Sequence, residues 1–406
     1  MNTPAVVTGI GVLSPVGADL EEHWSATLRG QNGIGPLTRF PAERYPAGLA
    51  GEVPGFDATA LLPGRLVPQT DRVTQLSLVA AERAFADAAV NPADLDGFEM
   101  GVSTSSASGG FEFGQRELQH LWRHGPRHVS AYMSFAWFYA VNTGQISIRH
   151  GTNGPTGVFV GEQAGGLDAV SQARRSIRKG LRLMVTGGVD SALSPYAWAC
   201  QLAGGGLSTR SDPARAYLPF DAEADGHVPG EGGAILLVEP DSPEVRARAP
   251  RVYGEIAGHG ATFSPKPGSG RPPGLRRAAA LALADARLEP ADVDVVFADA
   301  AGRPGPDRAE AEAISSLFGP RGVPVTAPKS MTGRLYSGGA PLDLATALLS
   351  FRDQVIPPTV NVGRLAEGCD LDLVLDRPRE APLRTALVLA RGHGGFNSAM
   401  VLRAAG

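Results

Sequence analysis

Residues 157–170 read GVFVGEQAGGLDAV, and this stretch decides the fold. Gly157 to Gly161 is a short apolar run with strand character. A tight turn follows at Gln163, and Ala164, Gly165 and Gly166 open a helix expected to reach Lys179. Leu181 to Gly187 reads as a second strand. A strand, a helix and a strand in this order imply parallel pairing through a right-handed crossover. The small residues let neighbouring backbone come close. The first turn of the helix presents unpaired N–H groups and the positive end of its dipole. A nucleophile at such a tip is held in strained geometry, and its pKa is lowered by the helix N-terminus. The tip here carries Gln163, whose carboxamide does not titrate but both donates and accepts hydrogen bonds.

Outward from this unit the same alternation continues. Ala5 to Val12 reads as a buried strand interrupted by glycines. Asp71 to Ala88 reads as a helix, with Val73, Leu76, Val79, Ala80 and Ala84 on one face. A second half starts near Pro250 with a strand at Val252 to Ala257, a helix at Gly274 to Ala286, a strand at Val293 to Ala298 and a helix at Asp307 to Phe318. It closes with strands at Thr385 to Ala390 and Ala399 to Leu402. The expectation is an α/β chain of two related halves, 1–249 and 250–406. The irregular stretch Leu207 to Gly233 is either functional or a surface excursion.

The chain has 406 residues, too many for one ordinary core, so two fused units are expected. With 43% hydrophobic and 19% charged residues it has a globular balance rather than a disordered one. A formal net charge of -4 argues against a nucleic-acid binder, which needs a basic face. No run of 18 apolar residues is present, and the N-terminus MNTPAVVTGIGVLSPVG lacks the basic start of a signal peptide. The only cysteines, Cys200 and Cys369, have neither metal nor disulfide spacing, which fits the cytoplasm.

Six ordered segments carry a family resemblance. They are VVTGIGVLSPVG (6–17), NTGQISIRHGTNGP (142–155), the turn around Gln163, YLPFDAEADGHVPGEGG (217–233), PKSMTGRLYSGGA (328–340) and RGHGGFNSAMVL (391–402). Together they resemble the β-ketoacyl synthases. The resemblance implies a thiolase-like fold of two similar halves in five layers, αβαβα, with a cysteine at the turn and two histidines beside it. Here the cysteine position is Gln163, the first histidine position is Asp299 and the second is Arg334, while the family's lysine is kept as Lys329. Claisen condensation needs a thiolate to carry the acyl chain and neutral imidazoles to stabilise the enolate. An anionic Asp299 would repel that enolate, and Arg334 cannot act as a base. These departures resemble the chain-length factor of type II polyketide synthases, the subunit that pairs with a cysteine-bearing ketosynthase.

The resemblance further implies that the chain acts with an acyl carrier protein on phosphopantetheine-tethered acyl chains, binds no cofactor or metal of its own, and contacts neither nucleic acid nor membrane. The tunnel positions it implies are Phe111, Gly114, Leu118 and Phe135, with His393 at the family's gating phenylalanine. Gly114 and Leu118 are small to medium in size, which suggests a long tunnel, for a decaketide or larger. Phe111, Phe113, Trp122, Tyr132, Phe135, Trp137, Phe138 and Tyr139 form a local aromatic enrichment that also suits an interface core. Gln163 has two readings. It is a hydrogen-bonding replacement, or it serves malonyl decarboxylation, as in loading-module ketosynthases that carry the same change but keep their histidines.

Four other signals are weaker. Gly9-Ile10-Gly11 begins a dinucleotide fingerprint, but Ser14 replaces its third glycine. His120, His124 and His128 are spaced as metal ligands on a helix, but Gly125-Pro126 interrupts it. Arg174, Arg175, Arg178, Lys179 and Arg182 suit either an acidic carrier protein or the helix dipole. Cys200 lies in an apolar run and reads as a buried structural cysteine.

Overall fold

A computed structural model describes residues 3–266 and 268–406. Its main sheet has eleven strands. In chain order they are β1 (Ala5–Leu13), β2 (Met100–Ser105), β3 (Thr156–Phe159), β4 (Leu183–Asp190), β5 (Gly232–Pro240), β6 (Gly254–Phe263), β7 (Val295–Phe297), β8 (Pro324–Thr326), β9 (Asp372–Leu373), β10 (Thr385–Arg391) and β11 (Phe396–Ala404). The spatial order is β9-β8-β7-β10-β11-β6-β1-β5-β4-β2-β3. The first half runs β3-β2-β4-β5-β1 and the second β8-β7-β10-β11-β6, so the two halves repeat one topology. In each half the parallel strands lie outermost and an antiparallel pair follows. The halves meet where β1 pairs with β6 through only Val6–Glu255 and Val7–Gly254.

The main helices are α1 (Arg72–Asp87), α2 (Phe111–His124), α3 (Val141–His150), α4 (Glu162–Arg178), α5 (Pro195–Ala203), α6 (Leu275–Ala286), α7 (Pro304–Phe318) and α8 (Gly339–Asp353). α1 covers β1 and β5 from outside, with α3 beside it. α6 covers β6 and β11 in the same way, with α7 beside it. α4 and α8 each touch strands of both halves and fill the space between them. The result is five layers, as the resemblance implied. The central position explains α8, in which every residue from Gly339 to Phe351 is buried. A helix apolar all round has no periodic stripe, so it was not read from the sequence.

The Gly9 and Gly11 pair has a packing explanation. A Cβ on Gly9 would lie 2.2 Å from the Ala84 carbonyl oxygen, and one on Gly11 1.9 Å from that of Ala80. The glycines let α1 lie directly on β1, and no dinucleotide site is involved. Asp71, expected inside the helix, is its N-cap: its side chain accepts from the Val73 amide, and also from the Phe113 amide of α2 at 2.7 Å. The stretch 207–231 is irregular as expected but pinned. Tyr217 donates to the Ala300 carbonyl at 2.6 Å, and Asp221 accepts from the Gly363 and Arg364 amides.

Candidate active site

The parallel strands of both halves deliver the site at their C-terminal ends, where open α/β sheets place ligands. β3 runs into the turn before α4, β7 ends two residues before Asp299, and β8 ends three before Lys329. The backbone strain at the turn falls on Glu162, with φ +52°, and not on Gln163. Gln163 is the second residue of α4 and is buried. Its Nε2 donates to Asp299 Oδ1 at 2.7 Å. Its Oε1 has no hydrogen-bond partner and is packed so closely on Gly339 that a Cβ there would stand 2.1 Å away.

Asp299 is completely buried. Besides the carboxamide it accepts from the Arg391 amide at 2.9 Å, from Arg391 Nε at 2.8 Å and from Arg334 Nη2 at 3.3 Å. Burial alone would raise its pKa. The charges of Arg334, Arg391 and Lys329 and the Arg391 amide overcome that and hold the carboxyl well below the usual carboxylate range. Arg334 also donates through Nε to Glu162 Oε1 at 3.0 Å and through Nη2 to the Arg391 carbonyl at 3.0 Å. Arg391 reaches Glu310 Oε2 at 2.7 Å, and Glu310 in turn accepts from the Asp299 and Ala300 amides. Lys329 sits one layer deeper. Its Nζ donates to the Ala298 carbonyl at 2.5 Å and to Asp343 at 2.6 Å. Burial pushes the Asp343 carboxyl up to about 6, against the pull of Lys329. His227, beside Arg334, is kept neutral by burial and by the Arg334 and Arg303 charges, its pKa lowered to about 3.

This cluster forms the floor of a cleft of about 1120 Å³. Glu162, Asp299, Arg334 and Arg391 line it, whereas Gln163 does not. The Glu162 carboxylate closes the floor by bridging Arg334 Nε and the His393 amide, the latter at 2.7 Å. Gln163, Asp299, Lys329 and Arg334 are therefore brought together as one buried network with no free nucleophile, general base or imidazole at its centre.

The tunnel candidates divide. His393 lines the cleft. Phe111, Gly114 and Leu118 lie on α2, and Phe135 lies in a one-turn helix, Met133–Ala136; none of the four lines the cleft. Phe111 packs against Tyr196 of α5 with ring centroids 5.4 Å apart, and Gly114 sits under Trp137. Of the aromatic enrichment only Phe113 is fully buried. Trp122, Tyr132, Trp137, Phe138 and Tyr139 are exposed, and the Trp137, Phe138 and Tyr139 rings pack one on the next. Large aromatic side chains exposed together in this way are a feature of interaction surfaces.

Sequence reading missed Glu162, Glu310 and Arg391 as network members, and Tyr196 as the neighbour of Phe111. Arg391 did open a quoted motif, but nothing local said that it points at Asp299. Cys200 is corrected: it is exposed and lines the cleft, while Cys369 is buried. The α5 helix that carries Cys200 buries Ala197 and Trp198 and leaves Cys200 in the open. The arginine cluster is also dispersed. Arg174 is buried against Asp285, whereas Arg182, paired with Glu99, stays exposed, as do Arg175 and Lys179. The His120, His124 and His128 rings follow one another at 6.4 and 5.5 Å on the surface. Among the described residues no three metal-binding side chains are arranged to hold an ion.

The model of the β-ketoacyl synthase N-terminal domain matches residues 2–243, and that of the β-ketoacyl synthase C-terminal domain matches residues 253–363. The chain belongs to the β-ketoacyl synthase family. Within that family it is 59% identical over 401 residues to the tetracenomycin polyketide synthase ketoacyl synthase beta subunit of Streptomyces glaucescens, covering 98% of each chain. Among solved structures it is similar to the ishigamide ketosynthase/chain length factor, with a TM-score of 0.91 at 26% identity over 100% of both chains. It is also similar to a chain from the complex of a type II polyketide synthase acyl-carrier protein with its ketosynthase bound to the hexaketide. There the TM-score is 0.88 at 27% identity, again over 100% of both chains. No described helix is long and apolar enough to cross a membrane.

Proposed function

We propose that this chain is the non-condensing partner subunit of a type II ketosynthase heterodimer. In this reading it acts in the cytoplasm and shapes the far end of the tunnel in which a phosphopantetheine-tethered polyketide grows. The observation that carries the proposal is the network at the family's active-site positions. Gln163 cannot attack a thioester, and the two imidazole positions hold an ion pair, Asp299–Arg334. Kinship with the tetracenomycin beta subunit supports it, as do the exposed aromatic side chains of residues 122–139 and the open edge of the sheet at β3. An open edge and apolar side chains left in water are surfaces that a partner covers.

A malonyl decarboxylase is less well supported by this geometry. Such an enzyme needs a free donor aimed at the thioester carbonyl, whereas the Gln163 amide is spent on Asp299 behind the Glu162–Arg334 pair. The test is turnover of malonyl-loaded carrier protein by the chain alone and by the chain mixed with its cysteine-bearing ketosynthase. Polyketide from the mixture only, from a one-to-one complex, is the expected result. Decarboxylation by the chain alone, abolished by Gln163→Ala, would replace this proposal with the enzyme reading.

A further inference from the structure

Helix α2 begins without a side-chain cap of its own. Its N-cap residue is Gly110, and a larger residue has no room there, because a Cβ on Gly110 would stand 2.0 Å from the Ala136 carbonyl oxygen. The acceptor comes instead from another helix. Asp71 Oδ1 accepts from the Val73 amide of α1 at 3.0 Å, and Asp71 Oδ2 accepts from the Phe113 amide of α2 at 2.7 Å. One buried carboxylate therefore caps the N-termini of two helices. By helical spacing Phe111, Gly114 and Leu118 share one face of α2, and Glu112, Phe113 and Arg116 share the opposite one. The first face is packed at Phe111 against Tyr196 and at Gly114 under Trp137. Against the second lies a cavity of about 310 Å³, lined by Phe56, Thr59, Asp71, Glu112, Phe113 and Arg116. The start of α2 thus has neighbours on one side and room to move on the other.

We propose that Asp71 is a positioning residue for polyketide length: its bond to the Phe113 amide holds the first turn of α2 off this cavity and so fixes how far the face of Phe111, Gly114 and Leu118 reaches into the tunnel of the heterodimer. Asp71 lines the cavity, on the far side of α2 from those three residues. The inference rests on the proposed pairing with a ketosynthase and on that face of α2 lining its tunnel. Serine at position 71 separates the two bonds. Its single hydroxyl serves the Val73 amide, as serine does at a helix N-cap, and leaves the Phe113 amide without an acceptor. The first turn of α2 then relaxes toward the cavity, and the tunnel gains length.

The experiment takes the full chain in complex with its cysteine-bearing ketosynthase and reads two quantities, hydrogen exchange at the Phe113 amide and the length of the polyketide made from malonyl-loaded carrier protein. Asp71→Ser is expected to speed exchange at Phe113 by about tenfold and to shift the product upward by at least one two-carbon unit. Asp57→Ala, at an exposed residue of the same cavity wall that makes no bond to α2, is expected to leave both unchanged. A purely structural role for Asp71 would lower yield and thermal stability without moving product length. If Asp71→Ser does not fold, Asp71→Asn carries the comparison, since it keeps the size of the side chain and can serve only one of the two amides. No polyketide from the wild-type mixture would remove the partner reading and this inference with it. Failure of the inference alone looks different: the wild-type complex makes its product, and Asp71→Ser gives the same length or a shorter one. Phe113 exchange as slow in Asp71→Ser as in wild type also overturns the proposal. So does failure of both variants to pair with the ketosynthase, which would make Asp71 an assembly residue instead.

Discussion

Replacing Asp299 by asparagine keeps the side chain's shape and removes one charge from the centre of the network. The carboxylate accepts four hydrogen bonds from the Gln163, Arg334 and Arg391 groups. Asparagine accepts at one oxygen and turns an NH2 group toward donors that are already there. Glu162 and Glu310 still hold one edge each of Arg334 and Arg391. Even so, the guanidinium groups lose the anion between them in a site with almost no water. Breaking a buried pair by removing one partner costs about 3–5 kcal/mol. At roughly 2 °C per kcal/mol for a chain of this size, the thermal midpoint is expected to fall by about 6–10 °C. The assay is a thermal melt at neutral pH of the wild-type chain, Asp299→Asn, and Asp299→Asn combined with Arg391→Gln. The double variant should recover part of the loss, because it removes one of the stranded charges. A midpoint within about 1 °C of wild type for Asp299→Asn would refute the reasoning, since it would mean that the buried anion does not balance the arginines.

The remaining predictions follow from the same geometry. Gln163→Cys alone is expected to give no condensing activity in the malonyl-carrier assay, because the thiol would face Asp299 and Arg334 and no imidazole. Burial pushes the carboxyls of Asp71 and Asp307 up to about 7, whereas an unfolded chain has them near ~3.9. The folded state therefore binds more protons than the unfolded state between those values. Stability should fall as pH rises through that window, and Asp307→Asn should flatten the slope in urea titrations between pH 5 and 7.5. A Cβ on Gly114 would lie 3.4 Å from Trp137 Cβ, so Gly114→Thr presses on the aromatic face while Leu118→Phe enlarges it. Each is expected to shorten the polyketide released by the heterodimer by at least one two-carbon unit, read by mass spectrometry; unchanged length in both would remove these residues from the tunnel. Trp137→Ala is expected to weaken association with the ketosynthase by about tenfold or more, as truncation of a central aromatic anchor does, measured by sedimentation at dilution.

Much of this protein was legible in the chain itself. The turn at Gln163 and the alternation around it imply a parallel α/β architecture, because apolar period and glycine placement are local properties. The losses at 163, 299 and 334 are also visible one residue at a time, and a missing thiol or imidazole removes chemistry wherever the side chain points. What the line of residues could not decide is which charges meet. Glu162, Glu310 and Arg391 look like ordinary polar residues in their own segments. They become one network only because β3, β7, β10 and α7 bring their ends to one point, with Glu162 held at φ +52° to aim at Arg334. Cys200 was misread for the related reason that an apolar run does not tell which face of its helix is covered. Burial and pairing are set by neighbours distant in sequence, so the tertiary structure alone decided that Gln163 is sealed behind an ion pair while the cleft in front of it stays open.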